Sequence, residues 1–256
     1  MSESHEALVH EAYEARRDGR RLTDTAELTV EDGLRLQLAV ADRFEQQGGP
    51  ISGWKVGMTS GPMRDRLGVG VRPFGYLLAD RTFANDDTIT MPSAAGVGIE
   101  PELCLILGTA LEGDVTPEQA RKAVESVAPS FELLEFRTRG LPANPGRTIL
   151  DGLANWGIVV GDPVPAADLP EVIRAEFSSE DERLAEVTAG QDLELDDPFL
   201  SLSRLSSALH RFGRRVEAGQ VILTGALAKV DVLAAARYRA KFTDIGTVTA
   251  DLDPIE

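Results

Sequence analysis

Glu100 and Glu102 stand two residues apart in the run from Val97 to Leu107, and residues i and i+2 of an extended chain project from the same face. The spacing sets two carboxylates side by side, while Ile99, Pro101 and Leu103 face the other way. The flanking residues are apolar, so both acids are expected to be partly buried. Two anions buried together are unstable unless a cation neutralises them. Glu132 lies in a second apolar, strand-like run, Phe131 to Phe136. Three carboxylates from two strands would make an all-oxygen site with open positions, which suits a hard divalent ion, Mg²⁺ or Mn²⁺. Solvated carboxylates on an exposed sheet face are the plain alternative, because Asp and Glu total 42 of the 256 residues. Pro101 has no N–H for a ladder, which predicts a strand at an edge or one leaving its sheet at that point.

Lys55 sits among bulky apolar residues in Trp54-Lys55-Val56-Gly57-Met58. A desolvated lysine could serve as acid, base or anion anchor, and a lysine snorkelling from a strand edge is the alternative. Asp80 follows the apolar run Tyr76 to Ala79 and reads as a turn cap or as a supporting acid. His5, His10 and His210 fall in helical segments away from any candidate nucleophile and read as surface or packing residues. Cys104 is expected to be a small buried hydrophobe. The turn Leu223-Thr224-Gly225-Ala226 is a weak candidate for an anion contact. No G-x-G-x-x-G, P-loop, G-x-S-x-G or H-E-x-x-H pattern is present, which argues against the commonest nucleotide-binding, hydrolase and zinc-protease chemistries.

These residues need elements to position them. The pattern predicts a helix over residues 4–18 and another from an N-cap at Thr29 to the stop at Gly48-Gly49-Pro50. From Ile51 short strands dominate: 51–58, 73–80, 97–107, 129–136, 156–162 and 219–226, with a helical turn over 60–68. A hairpin is expected over 171–189 with its turn near Ser179 to Asp181, and another joins 236–244 to 247–252. Inserted helices are predicted from Thr116 to about Val127 and over 198–213. The whole reads as an α+β fold: a helical N-terminal segment, residues 1–50, and one structural unit over 51–256.

Lys and Arg number 26 against 42 acids, a formal net charge of −16, which argues against nucleic acid or an anionic membrane surface as partner. A hydrophobic share of 43% is enough to build a core. The single cysteine excludes a disulfide framework within the chain. No apolar run is long enough to span a bilayer, and the opening MSESHEALVHEAY lacks the pattern of a secretory signal, so a cytoplasmic location is expected.

Several blocks in order resemble the 2-keto-4-pentenoate hydratase and 2-oxo-3-hexenedioate decarboxylase family of the fumarylacetoacetate hydrolase superfamily. Lys55-Val56-Gly57-Met58-Thr59-Ser60 is similar to its K-x-G-x-T-S block, and Phe74 to Asp80 to the next block, which ends in an acid. Ile99 to Glu102 and Pro129 to Glu132 resemble the segments that carry three metal-binding glutamates, with Arg137 following. Leu223-Thr224-Gly225-Ala226-Leu227 resembles a C-terminal block, and Ile245 to Val248 a closing hairpin. The resemblance implies a twisted mixed β-roll with flanking helices, usually in a homo-oligomer. It implies Glu100, Glu102 and Glu132 as ligands of Mg²⁺ or Mn²⁺, and Lys55 and Asp80 as acid/base or orienting groups. Thr59, Ser60, Arg137 and Thr224 are implied as substrate contacts.

Two departures stand out. The chain reads Asp151-Gly152-Leu153-Ala154-Asn155 where relatives carry a D-N-A-S stretch, and the tryptophan that often follows the Arg137 segment is absent. No histidine lies between residues 11 and 209, which argues against the hydrolase branch. The leading expectation is a hydro-lyase adding water to a small, anionic, unsaturated 2-oxo acid through a metal-stabilised enolate. A decarboxylase of an unsaturated 2-oxo diacid is the alternative, with Arg137, Arg139 or Arg147 expected to take the distal carboxylate. A non-catalytic pathway subunit is the third reading.

Overall fold

The computed structural model describes residues 2–92, 94–180 and 182–255. Two helices come first, α1 (Glu3–Asp18) and α2 (Val30–Gln46). Ser2 caps the first, and Thr29 with Asp32 forms a reciprocal capping box on the second. Strands β1 (Ile51–Val56), β2 (Phe74–Leu78), β3 (Thr82–Ala84), β4 (Thr88–Pro92) and β5 (Val97–Leu107) follow. Helix α3 (Pro117–Ala123) leads directly into β6 (Val124–Glu135), and α4 (Pro145–Leu150) is joined to β7 (Asn155–Val160) through a 3-10 turn, Gly152–Ala154. The remainder comprises β8 (Val164–Pro165), β9 (Arg174–Ser179), β10 (Glu182–Thr188), α5 (Pro198–His210), β11 (Val221–Ala226), β12 (Val230–Val232), β13 (Ala236–Phe242) and β14 (Gly246–Ile255).

Nine strands form one mixed sheet in the order β2-β1-β11-β5-β6-β7-β3, with β12 on β5 and β8 on β6. The pairs β1–β11 and β3–β7 are parallel and the rest antiparallel. Five strands form the second sheet, β10-β9-β13-β14-β4. The sheets meet through apolar side chains: the Phe131 ring of β6 lies 5.8 Å from that of Phe177 on β9. Helix α2 packs on β2 through Phe44 and Tyr76, with ring centres 6.2 Å apart. Most buried apolar residues from Leu8 to Leu252 belong to one cluster, in which α1 and α2 share the core of the strands, while Leu77, Cys104, Ala128, Ile158 and Leu223 form a second.

Two expectations need correction. The helix opened by Thr116 ends at Ala123, and β6 begins at once at Val124 rather than near Pro129. Its β-branched Val124 and Val127 pair with β5, at Leu107 and Leu105, and tertiary pairing overrides the helical reading of that stretch. Pro101 is not at an edge: β5 is central, paired with β6 along its length. On its other side β5 changes partner at Pro101, from β12 at residues 97–99 to β11 at residues 102–106. The missing N–H falls in that break, where only the Pro101 carbonyl is used, accepting from Leu227 N–H at 3.0 Å. The hairpin over 171–189 is present as β9 and β10, and Asp181 of its turn lies outside the described residues.

Candidate metal centre and its cavity

The central pair β5–β6 sets Glu100 directly opposite Glu132 and Glu102 opposite Ser130. Directly paired residues of neighbouring strands share a face, so the third carboxylate joins the first two. One oxygen from each of Glu100, Glu102 and Glu132 lies within 4.8 Å of the others. Glu102 and Glu132 are fully buried, and the side chain of Glu100 is 13% exposed.

Cations and donors ring this cluster. Lys55 reaches it from β1, two strands away, and its Nζ donates to Glu132 Oε2 at 2.9 Å. The backbone N–H of Gly225 donates to Glu102 Oε2 at 2.8 Å. Gly225 has φ +131°, and a Cβ there would lie 1.8 Å from Thr59 Oγ1, so only glycine fits this bulge on β11. Asn155 Nδ2 donates to Glu132 Oε1 at 3.0 Å, and its Oδ1 accepts from Arg16 Nη2 at 2.8 Å. Arg16 projects from α1 into the interior, with its guanidinium 4.6 Å over the Tyr76 ring.

Burial and the charges of its neighbours decide the protonation of the cluster. Burial, then the charge of Glu132, pushes the Glu100 carboxyl up to about 7, against the pull of Lys55 and Lys229. Burial and the charges of Glu132 and Glu100 hold Glu102 well above the usual carboxylate range. Burial works against the charge of Lys55, but the three carboxylates outweigh it and raise its pKa above that of an ordinary lysine. Two lysines, Lys55 and the half-exposed Lys229, against three carboxylates leave a deficit of positive charge in a site whose possible ligands are all oxygens. That donor set and that deficit fit a hard divalent cation.

A cavity of about 420 Å³ opens over the cluster. Lys55, Glu100, Glu102 and Lys229 line its polar end, and its other walls are mostly apolar, including Met58, Met63, Leu134, Leu153 and Leu193. Met58 and Leu153 both have left-handed backbones, φ 56° and 58°, an unfavourable conformation held in place at the cavity wall. The segment between β1 and β2 roofs the cavity and is fastened by Asp196. Its carboxylate accepts from Arg64 at 2.8 Å, Arg72 at 2.6 Å and Arg204 at 2.7 Å.

The other expected site residues are placed differently. Ser60 lines the cavity and donates to the Ala226 carbonyl at 2.9 Å. Thr59 is buried against Gly225, and the Thr224 hydroxyl donates to the Leu103 carbonyl at 3.0 Å, so both build the wall rather than face the cavity. Arg137 is fully buried and tied to Glu135 and Asp151, and it donates to the Asn155 carbonyl at 2.9 Å. It therefore steadies the turn that carries Asn155 and is not among the cavity residues. Arg147 is buried on the carbonyls of Pro142 and Ala26, and Arg139 pairs with Asp231 at the surface. None of these three guanidiniums lines the cavity as a partner for a distal carboxylate. Asp80 is exposed in the turn after β2. In the antiparallel register Gly75 faces Lys55 and Leu78 faces Ile51, so Asp80 lies past the far end of β1 from the cluster. Cys104 is buried, and burial pushes its thiol up to about 12. All three histidines lie outside the buried set.

Asn155, Arg16 and Lys229 are the site residues that sequence reasoning missed. A signal existed for Arg16: it continues the buried stripe of α1 through Leu8 and Ala12, where a charge is out of place.

A carboxylate triad with a buried lysine, in a mixed sheet beneath an apolar cavity, makes a site of small-molecule size whose oxygen donors suit a divalent cation. No family model matches the chain. It is 32% identical over 208 residues, 80% of each chain, to a 4-oxalocrotonate decarboxylase of a Pseudomonas species. It is 30% identical over 247 residues, 92% of each, to the 2-hydroxyhexa-2,4-dienoate hydratase of Comamonas testosteroni. The structure of 4-oxalocrotonate decarboxylase from Pseudomonas putida G7, complexed with magnesium and adipate, superposes with a TM-score of 0.88 at 20% identity, over 98% of this chain and 97% of that one. The chain belongs to the family of 2-keto-4-pentenoate hydratases and 4-oxalocrotonate decarboxylases. No helix among the described residues is long and apolar enough to cross a membrane.

Proposed function

We propose that the protein is a divalent-metal-dependent hydro-lyase that adds water to a small unsaturated 2-oxo acid, with Glu100, Glu102 and Glu132 holding Mg²⁺ or Mn²⁺. The observation that carries this is the contact between the buried Lys55 ammonium and Glu132, 2.9 Å, inside the carboxylate triad. When bound, the ion supplies Lewis-acid stabilisation of the negative charge that develops on the 2-oxo oxygen. Lys55 lines the cavity and is the one buried cation there, so it is placed to anchor the substrate carboxylate and to exchange a proton with the substrate chain. Asn155 fixes Glu132 from the opposite side to Lys55, and the Gly225 N–H fixes Glu102, so the acids stand preorganised. The apolar walls suit the conjugated carbon chain of such a substrate.

The same triad would serve loss of CO₂ from an unsaturated 2-oxo diacid, the reaction named for the 32% identical relative. Hydration is preferred because Arg137, Arg139 and Arg147 are all engaged outside the cavity. The deciding experiment offers 2-hydroxypenta-2,4-dienoate and 2-oxo-3-hexenedioate separately, with Mg²⁺ and with chelator, and follows ultraviolet absorbance and NMR. Metal-dependent formation of a 4-hydroxy-2-oxo acid from the dienoate is expected. Release of CO₂ from the diacid alone would replace hydration by decarboxylation, and full activity after exhaustive chelation would refute the metal role.

A further inference from the structure

Lys229 is the second cation of the cavity. It lies in the connection between β11 and β12, directly after the bulge that carries Gly225. Its Nζ is 3.8 Å from Glu100 Oε1, and 4.6 Å from the centre of the Phe136 ring, whose negative face holds an ammonium in place. The side chain is 52% exposed, so it stands at the cavity mouth, whereas Lys55 is buried at the floor.

Once an ion has displaced the protons of Glu100 and Glu102, three ionised carboxylates and two charged lysines fall short of neutrality by a single unit. A divalent cation then carries the site past neutrality to a net charge of +1, which matches one carboxylate of an incoming substrate. Without Lys229 the loaded site would be neutral and would offer an anion no net attraction.

We propose that Lys229 sets the affinities of this site for cation and for anionic substrate in opposite directions: it competes with the metal ion for Glu100, and it attracts the substrate anion once the ion is bound. This rests on the metal role assigned to the triad under the proposed function. Its particular content is that removing one residue tightens one ligand and loosens the other, which a change of shape or folding does not do.

The test compares the unaltered chain with Lys229→Met and Lys229→Arg. Mn²⁺ affinity is measured by electron paramagnetic resonance without any substrate, and the Mn²⁺-loaded proteins are then titrated calorimetrically with oxalate as the anion probe. Lys229→Met is expected to tighten Mn²⁺ about fivefold to tenfold and to weaken oxalate by a similar factor, the scale of a unit charge one carboxylate away from the ion at nearly water-like dielectric. Lys229→Arg should restore both, and added salt should shrink both differences. Affinities within twofold of the unaltered chain, or both ligands weakening together in Lys229→Met, would overturn the proposal while leaving the metal site in place. Failure of the unaltered chain to bind Mn²⁺ would overturn the proposed function and this inference with it.

Discussion

Replacing Glu100 by Gln should make the ion-free protein more stable at neutral pH, the reverse of the usual result of cutting into a buried site. Burial, then the charge of Glu132, carries the Glu100 carboxyl from 4.5 to about 7 on folding. A folded pKa above the unfolded one contributes stability that is fully present below pH 4.5 and is lost as the pH rises through 7, because the native state binds more protons across that window. At about 1.4 kcal/mol for each tenfold change in proton affinity, the loss reaches about 3 kcal/mol. The side chain is only 13% exposed, so solvent screening trims this figure little. Glutamine has the same size and no proton to lose. The variant and the unaltered protein should therefore be equally stable near the acid end of the window and diverge above it. Above neutrality the variant should lead by about 3 kcal/mol, roughly 6–12 °C in Tm for a chain of this size. Glu135 and Asp151, whose carboxyls burial also raises, act alike in both proteins and cancel. Excess Mg²⁺ should invert the order, since the variant has lost a ligand. Thermal denaturation across this pH range, with chelator and with Mg²⁺, reads all of it. Equal stability above neutrality in chelator would refute the electrostatic account of the triad, and an unchanged order in Mg²⁺ would refute the metal role of Glu100.

Three further predictions follow from single contacts. Lys55→Met should lower kcat about 10²- to 10⁴-fold without weakening Mn²⁺ binding, because it removes a proton carrier and relieves a like charge; steady-state kinetics beside metal titration check both halves. Gly225→Ala should destabilise the fold by about 2–5 kcal/mol in denaturant titration, since φ +131° is closed to alanine and the added Cβ meets Thr59 Oγ1 at 1.8 Å. Asp196→Ala should cost about 3–5 kcal/mol and raise KM, because three arginines lose their common carboxylate and the roof over the cavity is freed; urea melts and substrate saturation curves measure the two effects.

The i, i+2 spacing of Glu100 and Glu102 is legible in the chain itself, since the pleat is local and needs no knowledge of what packs around it. The helix starts at Thr29 and Thr116 are legible for the same reason, being set by hydrogen bonds over three residues. A buried acid at Glu132 could be noticed, but its position opposite Glu100 depends on the register between β5 and β6. The extent of β6 is not legible, because Val124 and Val127 take their conformation from pairing with β5, not from the helix before them. The place of Pro101 in a central strand is not legible either, because its tolerance there depends on β12 and β11 ending on either side of it.

The order of residues alone states the chemistry on offer: paired carboxylates, a lysine in an apolar run, an acidic chain with one cysteine and no histidine between residues 11 and 209. Which groups act together follows from the folded chain. It drew Lys55, Glu132, Asn155, Arg16 and Lys229 from five distant segments onto one cluster. It also set Arg137 to bracing Asn155 and left Asp80 in solvent. The reason is physical: pleat and caps act over a few bonds, whereas the potential at a carboxylate is the sum of every charge and dipole the fold brings near it, and that sum exists only once the sheets have closed.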